Sequence, residues 1–87
     1  MKLRVYNMIN FRRPIDYYDV TSIGEAVKLI DDLANAQLKN KAILDNLFGM
    51  EYYNEDESEW YEWYDDEGYI IDKYIIVNGV AVLDEFA

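Results

Sequence analysis

Residues 51–67 read EYYNEDESEWYEWYDDE, and this seventeen-residue stretch constrains the fold more than any other part of the chain. It carries nine carboxylates, Glu51, Glu55, Asp56, Glu57, Glu59, Glu62, Asp65, Asp66 and Glu67, with six aromatics, Tyr52, Tyr53, Trp60, Tyr61, Trp63 and Tyr64, and neither Lys nor Arg. Aromatic bulk belongs in the interior of a small domain, whereas unpaired carboxylates belong in water. In an extended segment Trp60, Glu62 and Tyr64 share one face and Glu59, Tyr61, Trp63 and Asp65 the other, so neither face is purely apolar. Some aromatic side chain must then stay on an acidic surface, the composition of an interaction site. A solvated edge that resists aggregation would use the same carboxylates.

The chain carries −10 over 87 residues; the stretch holds −9 of this and leaves the remainder near neutral. Two carboxylates about 7 Å apart repel by roughly 0.6 kcal/mol in water, and ~0.15 M salt removes about half or more of that. Concentrating charge therefore has a cost that spreading it would avoid. A polyanion also repels nucleic acid and anionic lipid, so the expected partner is a basic protein surface, with no direct nucleic-acid or membrane contact.

The length fits a single domain spanning 1–87. With no Cys and no His, the chain lacks disulfides, thiol nucleophiles, Ser–His triads and His-based metal centres. Its four Gly residues are isolated at 24, 49, 68 and 79, so no phosphate-cradling loop is present. Asn54-x-Asp56-x-Ser58 opens like an EF-hand loop, but Glu59 stands where its Gly should be. The reading is a non-enzyme without metal or cofactor. The start, Met-Lys-Leu-Arg-Val-Tyr-Asn, is unlike a signal peptide, and the apolar runs are short for a membrane span, which points to the cytoplasm of a bacterial host.

Along the chain, Lys2–Phe11 alternates as a strand with Leu3, Val5 and Asn7 on one side and Arg4, Tyr6 and Met8 on the other. Arg12-Arg13-Pro14 ends it, and Ile15–Val20 is a second extended piece or a loop. Ser22-Ile23-Gly24-Glu25 fits a capping box, followed by Ile23, Ala26, Val27, Ile30, Leu33 and Ala34 at helical spacing. The pattern carries on through Leu38, Ala42, Ile43, Leu47 and Phe48 to Gly49, as one bent helix or two. Asn78-Gly79 between Tyr69–Val77 and Val80–Leu83 is a strong hairpin signal, and Asp65–Gly68 reads as another turn. Glu59–Tyr64 then becomes the strand before it, although Trp60, Trp63 and Tyr64 also fit a helix. The expectation is α+β: an N-terminal strand, one or two helices, and a C-terminal three-stranded antiparallel meander packed on the helix.

In length, charge, lack of Cys and its acid–aromatic patch, the chain resembles the small acidic inhibitors encoded by phages and mobile elements. These include DNA-mimic antirestriction proteins and anti-CRISPR proteins. The segment Tyr18-Asp19-Val20-Thr21-Ser22-Ile23-Gly24-Glu25 is similar to part of the ArdA-type antirestriction proteins. The resemblance implies inhibition of a nucleic-acid-handling protein, such as a Cas effector, a restriction enzyme or a nuclease, by carboxylates standing in for phosphates. Same-face residues of a strand are about 6–7 Å apart, close to the spacing of successive phosphates. The partner-binding candidates are all nine carboxylates of the stretch with Trp60, Tyr61, Trp63 and Tyr64. Two other readings use the same residues: an immunity protein or antitoxin against a basic nuclease toxin, and a structural or regulatory interaction module. The chain would act as a monomer or a homodimer.

Overall fold

The computed structural model describes residues 1–12 and 14–84; Arg13 and residues 85–87 lie outside the described residues. Strand β1 (Leu3–Ile9) alternates as its sequence dictates, burying Leu3, Val5 and Asn7. Strand β2 (Asp16–Val20) returns antiparallel to it, with Leu3 opposite Val20 and Asn7 opposite Asp16. The turn between them places Asn10 and Phe11 at positive φ (53° and 54°), and Arg12 N donates to Ile9 O at 3.0 Å.

Helix α1 (Ile23–Leu38) starts at the capping box: Ser22 Oγ accepts from Glu25 N at 3.1 Å, and the Glu25 carboxylate reaches back to Thr21 N at 3.2 Å. Its apolar stripe packs on the sheet through Ala26 and Val27, with Ile23, Leu29 and Ile30 alongside. The helix does not continue to Gly49. It ends at Leu38, and strand β3 (Asn46–Asn54) follows. Leu47 and Phe48 happen to fall at helical spacing after Ile43, but pairing with the whole length of β1, from Leu3–Tyr52 to Ile9–Asn46, gives that segment a full backbone ladder. Gly49 is not a helix cap; it sits opposite Tyr6 in the middle of this ladder.

Strand β4 (Glu59–Glu62) folds back on β3, with Tyr52 opposite Tyr61 and Tyr53 opposite Trp60. Sheet order is β2-β1-β3-β4, every pair antiparallel, so β4 is an edge. After the Asp65–Gly68 turn and a 3₁₀ turn (Ile71–Lys73), strands β5 (Tyr74–Val77) and β6 (Val80–Leu83) form a separate hairpin through Asn78 and Gly79, both at positive φ. This hairpin packs against α1. The expected C-terminal three-stranded meander is therefore incorrect. Once residues 46–54 form a strand, β4 has a nearer partner than β5, and the hairpin stands alone.

The core between sheet and helix comprises Leu3, Val5, Val20, Ala26, Val27, Met50, Trp63 and Ile71. Asn7 lies inside it at 0% exposure, accepting from Gln37 Nε2 at 2.7 Å and donating to Leu47 O at 3.3 Å. That pair of bonds satisfies the amide and ties the last turns of α1 to β1 and β3.

Candidate protein-docking site on the acidic edge

Among the described residues no helix or strand covers the sheet face opposite α1. It presents Arg4 and Tyr6 from β1, Tyr17 from β2, Glu51 and Tyr53 from β3, and Trp60 and Glu62 from β4. At its centre the Arg4 guanidinium lies between two rings, 3.8 Å from the Tyr17 centroid and 4.0 Å from that of Trp60. Arg4 Nε also donates to Glu51 Oε1 at 2.8 Å. Lys2 stands over Tyr53 and Trp60, 5.1 and 5.5 Å from their centroids. Those two rings meet edge to face at 5.2 Å. Trp60 thus reaches across the sheet, and Arg4 of β1 with Lys2 just before that strand holds it there.

Glu51 and Glu62 face each other directly across β3 and β4, a like-charge pair. Arg4 neutralises the first. The second accepts from Tyr6 Oη, at 3.0 and 3.2 Å to its two oxygens. Burial lifts the Glu62 carboxyl above its ordinary range, the Tyr6 bond pulls it down, and Glu51 adds a smaller upward push. Burial also raises the Tyr6 hydroxyl, followed by its bond to Glu62. The Tyr6 ring lies across Gly49, where a Cβ would overlap Cζ, Oη and Cε2.

The other carboxylates stand at the two ends of β4. At the tip, Glu55, Asp56, Glu57 and Glu59 are exposed. The Tyr61 hydroxyl donates to Glu57 and, at 3.2 Å, to Glu59, while Asn54 Oδ1 accepts from Glu57 N at 3.2 Å. At the far end Asp66 and Glu67 are exposed, and Asp65 organises the turn. Its Oδ1 accepts from Glu67 N and Tyr69 N at 2.9 and 2.8 Å, and its Oδ2 from Tyr74 Oη at 2.6 Å. Those bonds, Tyr74 first, hold Asp65 below the usual carboxylate range, and the same bond pushes Tyr74 up to about 12. Strand β4 itself, from Glu59 to Glu62, covers about 10 Å at ~3.3 Å per residue.

The stretch thus divides into parts with different roles. Trp63, 9% exposed, belongs to the core and meets Tyr74 edge to face at 5.9 Å. Trp60 is clamped on the open face, Tyr61 lies beside Tyr52 at 6.0 Å, and Tyr64 is 57% exposed. The partners Lys2, Arg4, Tyr6 and Tyr17 were missed as site residues. The alternation of β1 does put Arg4 and Tyr6 on one face, but only pairing brings that face to Glu51 and Glu62. Among the described residues no group of three or more His, Cys, Asp or Glu is arranged to hold a metal ion, and no helix is long and apolar enough to cross a membrane. A groove between α1 and β5, lined mainly by Val27, Ile30, Ala34, Ile71, Tyr74 and Ile76, is apolar with Asp31 and Asp72 at its rim. No protein-family model, curated protein or solved structure matches this chain.

Proposed function

We propose that the chain is an inhibitor that docks its acidic edge into the nucleic-acid groove of a basic protein, of the kind found in phage antirestriction and anti-CRISPR systems, inside a bacterial host. The observation that carries this reading is the placement of the carboxylates. Eight of the nine, all but Glu51 of β3, belong to the edge strand and to the turns at its two ends, and hydrogen bonds to the carboxylates of Glu57, Glu59, Glu62 and Asp65 hold these four in place. Carboxylates along this edge would place negative charge where a phosphate backbone binds while offering no base to pair and no bond to cut. Opposite charge would also steer the encounter. An immunity protein against a basic nuclease would use the same surface on a different partner.

The test is competition. Binding of the chain to purified restriction and CRISPR effector proteins is measured with and without duplex DNA, for the wild type and for a variant with Glu59, Glu62, Asp65 and Asp66 changed to their amides. The reading expects DNA to displace the chain, association to slow markedly in the amide variant, and affinity to fall as salt rises. Equal binding by the amide variant, or unimpeded binding to a DNA-loaded effector, would overturn it.

A second reading has its own observation. On the outer face of the β5–β6 hairpin, Ile75, Val77, Val80 and Val82 are between 37% and 59% exposed, and pairing places them side by side. The hairpin's other face packs against α1, so an apolar outer face left in water favours an interaction module that self-associates or binds an apolar partner. Sedimentation of the wild type against Val80→Lys separates this from the first reading: a dimer lost in the variant supports the module.

A further inference from the structure

The turn between β1 and β2 breaks a local rule. Arg12 N donates to Ile9 O at 3.0 Å, and the two residues between them, Asn10 and Phe11, sit at φ 53° and 54°. That is the pattern of a type I′ turn, whose second central position favours glycine. Asn tolerates the left-handed region, but an aromatic residue there is strained. Burial does not offset the strain, because Phe11 is 56% exposed. Arg12 beside it is exposed too. Residues 1–15 carry four cations and no carboxylate, so this end of a strongly acidic chain is locally basic. A ring held in water at a cost to its own backbone, next to a guanidinium, is a candidate contact residue.

A receptor of matching shape and charge lies elsewhere on the same chain. The groove between α1 and β5 is floored by Val27, Ile30, Ala34 and Ile71, with Asp31 and Asp72 at its rim. Its volume is about 240 Å³, and a cavity of ~150 Å³ is enough to hold benzene. Among the described residues neither Asp31 nor Asp72 forms an ion pair, and neither does Arg12. We infer that this groove takes Phe11 of a second copy of the chain, with Arg12 of that copy against the rim carboxylates. The occupant is a copy because one chain carries both halves: a ring beside a cation, and an apolar slot beside two carboxylates. The net charge of −10 opposes association in general, and a basic turn meeting an acidic rim removes that repulsion locally. Knob and groove are different surfaces, so the contact is heterologous. It uses neither the acidic edge of β4 nor Val80 of the hairpin. One ring and one guanidinium make a small contact, so the dissociation constant is on the order of 100 μM.

The experiment is sedimentation equilibrium of the full chain from roughly 10 μM to 1 mM at ~0.15 M salt. The expected result is a mass that rises with concentration. Phe11→Gly should weaken association at least about 10-fold. It should also raise the melting temperature of the monomer by about 2–8 °C, because glycine relieves the turn. Ala34→Arg fills the groove and reverses its charge, and should abolish association by itself. Ala34 is half-buried on α1, and circular dichroism checks that the variant folds. Mixed, the two variants supply one free groove and one free knob, and should form a complex that neither makes alone. Val80→Lys should leave association unchanged. A wild type that stays monomeric up to ~1 mM would overturn the inference. So would the absence of a complex between the two folded variants, or association lost in Val80→Lys, which would move the contact to the hairpin face. A lower melting temperature in Phe11→Gly would show that Phe11 serves the fold, and would overturn the reading of the turn.

Discussion

Gly49→Ala should destabilise this protein by about 2–3 kcal/mol, although alanine is ordinarily the better residue inside a strand. The added Cβ overlaps the far end of the Tyr6 ring, and no backbone atom is among its three nearest neighbours, so the ring must swing away. Swinging breaks the Tyr6–Glu62 bond of 3.0 Å. A hydrogen bond to a charged group contributes about 1.5–3 kcal/mol. Displacing a half-buried ring adds roughly 1 kcal/mol of lost apolar contact. Against these, replacing Gly by Ala restricts the unfolded chain and returns about 0.4–1 kcal/mol. At ~4–8 °C per kcal/mol for a domain of this size, the melting temperature should fall by roughly 8–24 °C. The decisive measurement is a double-mutant cycle by urea denaturation. In a Tyr6→Ala background nothing overlaps the new Cβ, so Gly49→Ala should become neutral or stabilising. If the two substitutions instead add within ~0.5 kcal/mol, the ring-over-glycine account is wrong.

Glu62→Gln should gain on the wild type as pH rises. A carboxyl whose folded value is raised binds its proton more tightly folded than unfolded, so its contribution is present below the unfolded value near 4.5 and is lost as pH rises through the folded one. Urea midpoints at pH 4 and pH 7 should show the variant's advantage growing; a shrinking advantage would reverse the assignment. Trp63→Ala should cost about 3–5 kcal/mol as a core truncation. Trp60→Ala should cost less in stability but speed partner dissociation, measured by surface binding on the folded protein. Ser22→Ala should cost about 1 kcal/mol in thermal melts through the lost cap and leave partner affinity unchanged.

The elements that were legible are those whose signal is local. The capping box at Ser22–Glu25 needs four residues, and Asn78-Gly79 needs two with apolar flanks; both stand where the sequence places them. The alternation of Leu3, Val5 and Asn7 also gave the buried face of β1. Residues 43–49 were misread because two periodicities coexist there. Ile43, Leu47 and Phe48 match a helix stripe, whereas Phe48, Met50 and Tyr52 match a strand face, and β1 decides between them. Gly49 compounded the error. A glycine after a helical pattern suggests a cap, and its actual role, leaving room for Tyr6, depends on a residue far away in sequence. The same non-local pairing divided the acid–aromatic stretch, since only the register Tyr53–Trp60 reveals which ring covers Arg4.

Once those pairings are known, the stretch can be weighed residue by residue against its plainest explanation, protection of a sheet edge. Strand β4 is an edge and only four residues long, and Glu59 and Glu62 are charges enough to discourage further pairing. Yet six of the nine carboxylates, Glu55, Asp56, Glu57, Asp65, Asp66 and Glu67, sit in the flanking turns, where there is no ladder to protect. Asp65 has a structural reason, since it ties its turn together. The aromatics divide similarly: Trp63 serves the core, and Tyr53 and Trp60 serve the cation stack. Tyr64, more than half exposed, makes no hydrogen bond or ring contact among the described residues. Carboxylates beyond the needs of the edge, beside a ring beyond the needs of the core, are the residues that a docking function accounts for and an aggregation-resistant edge does not.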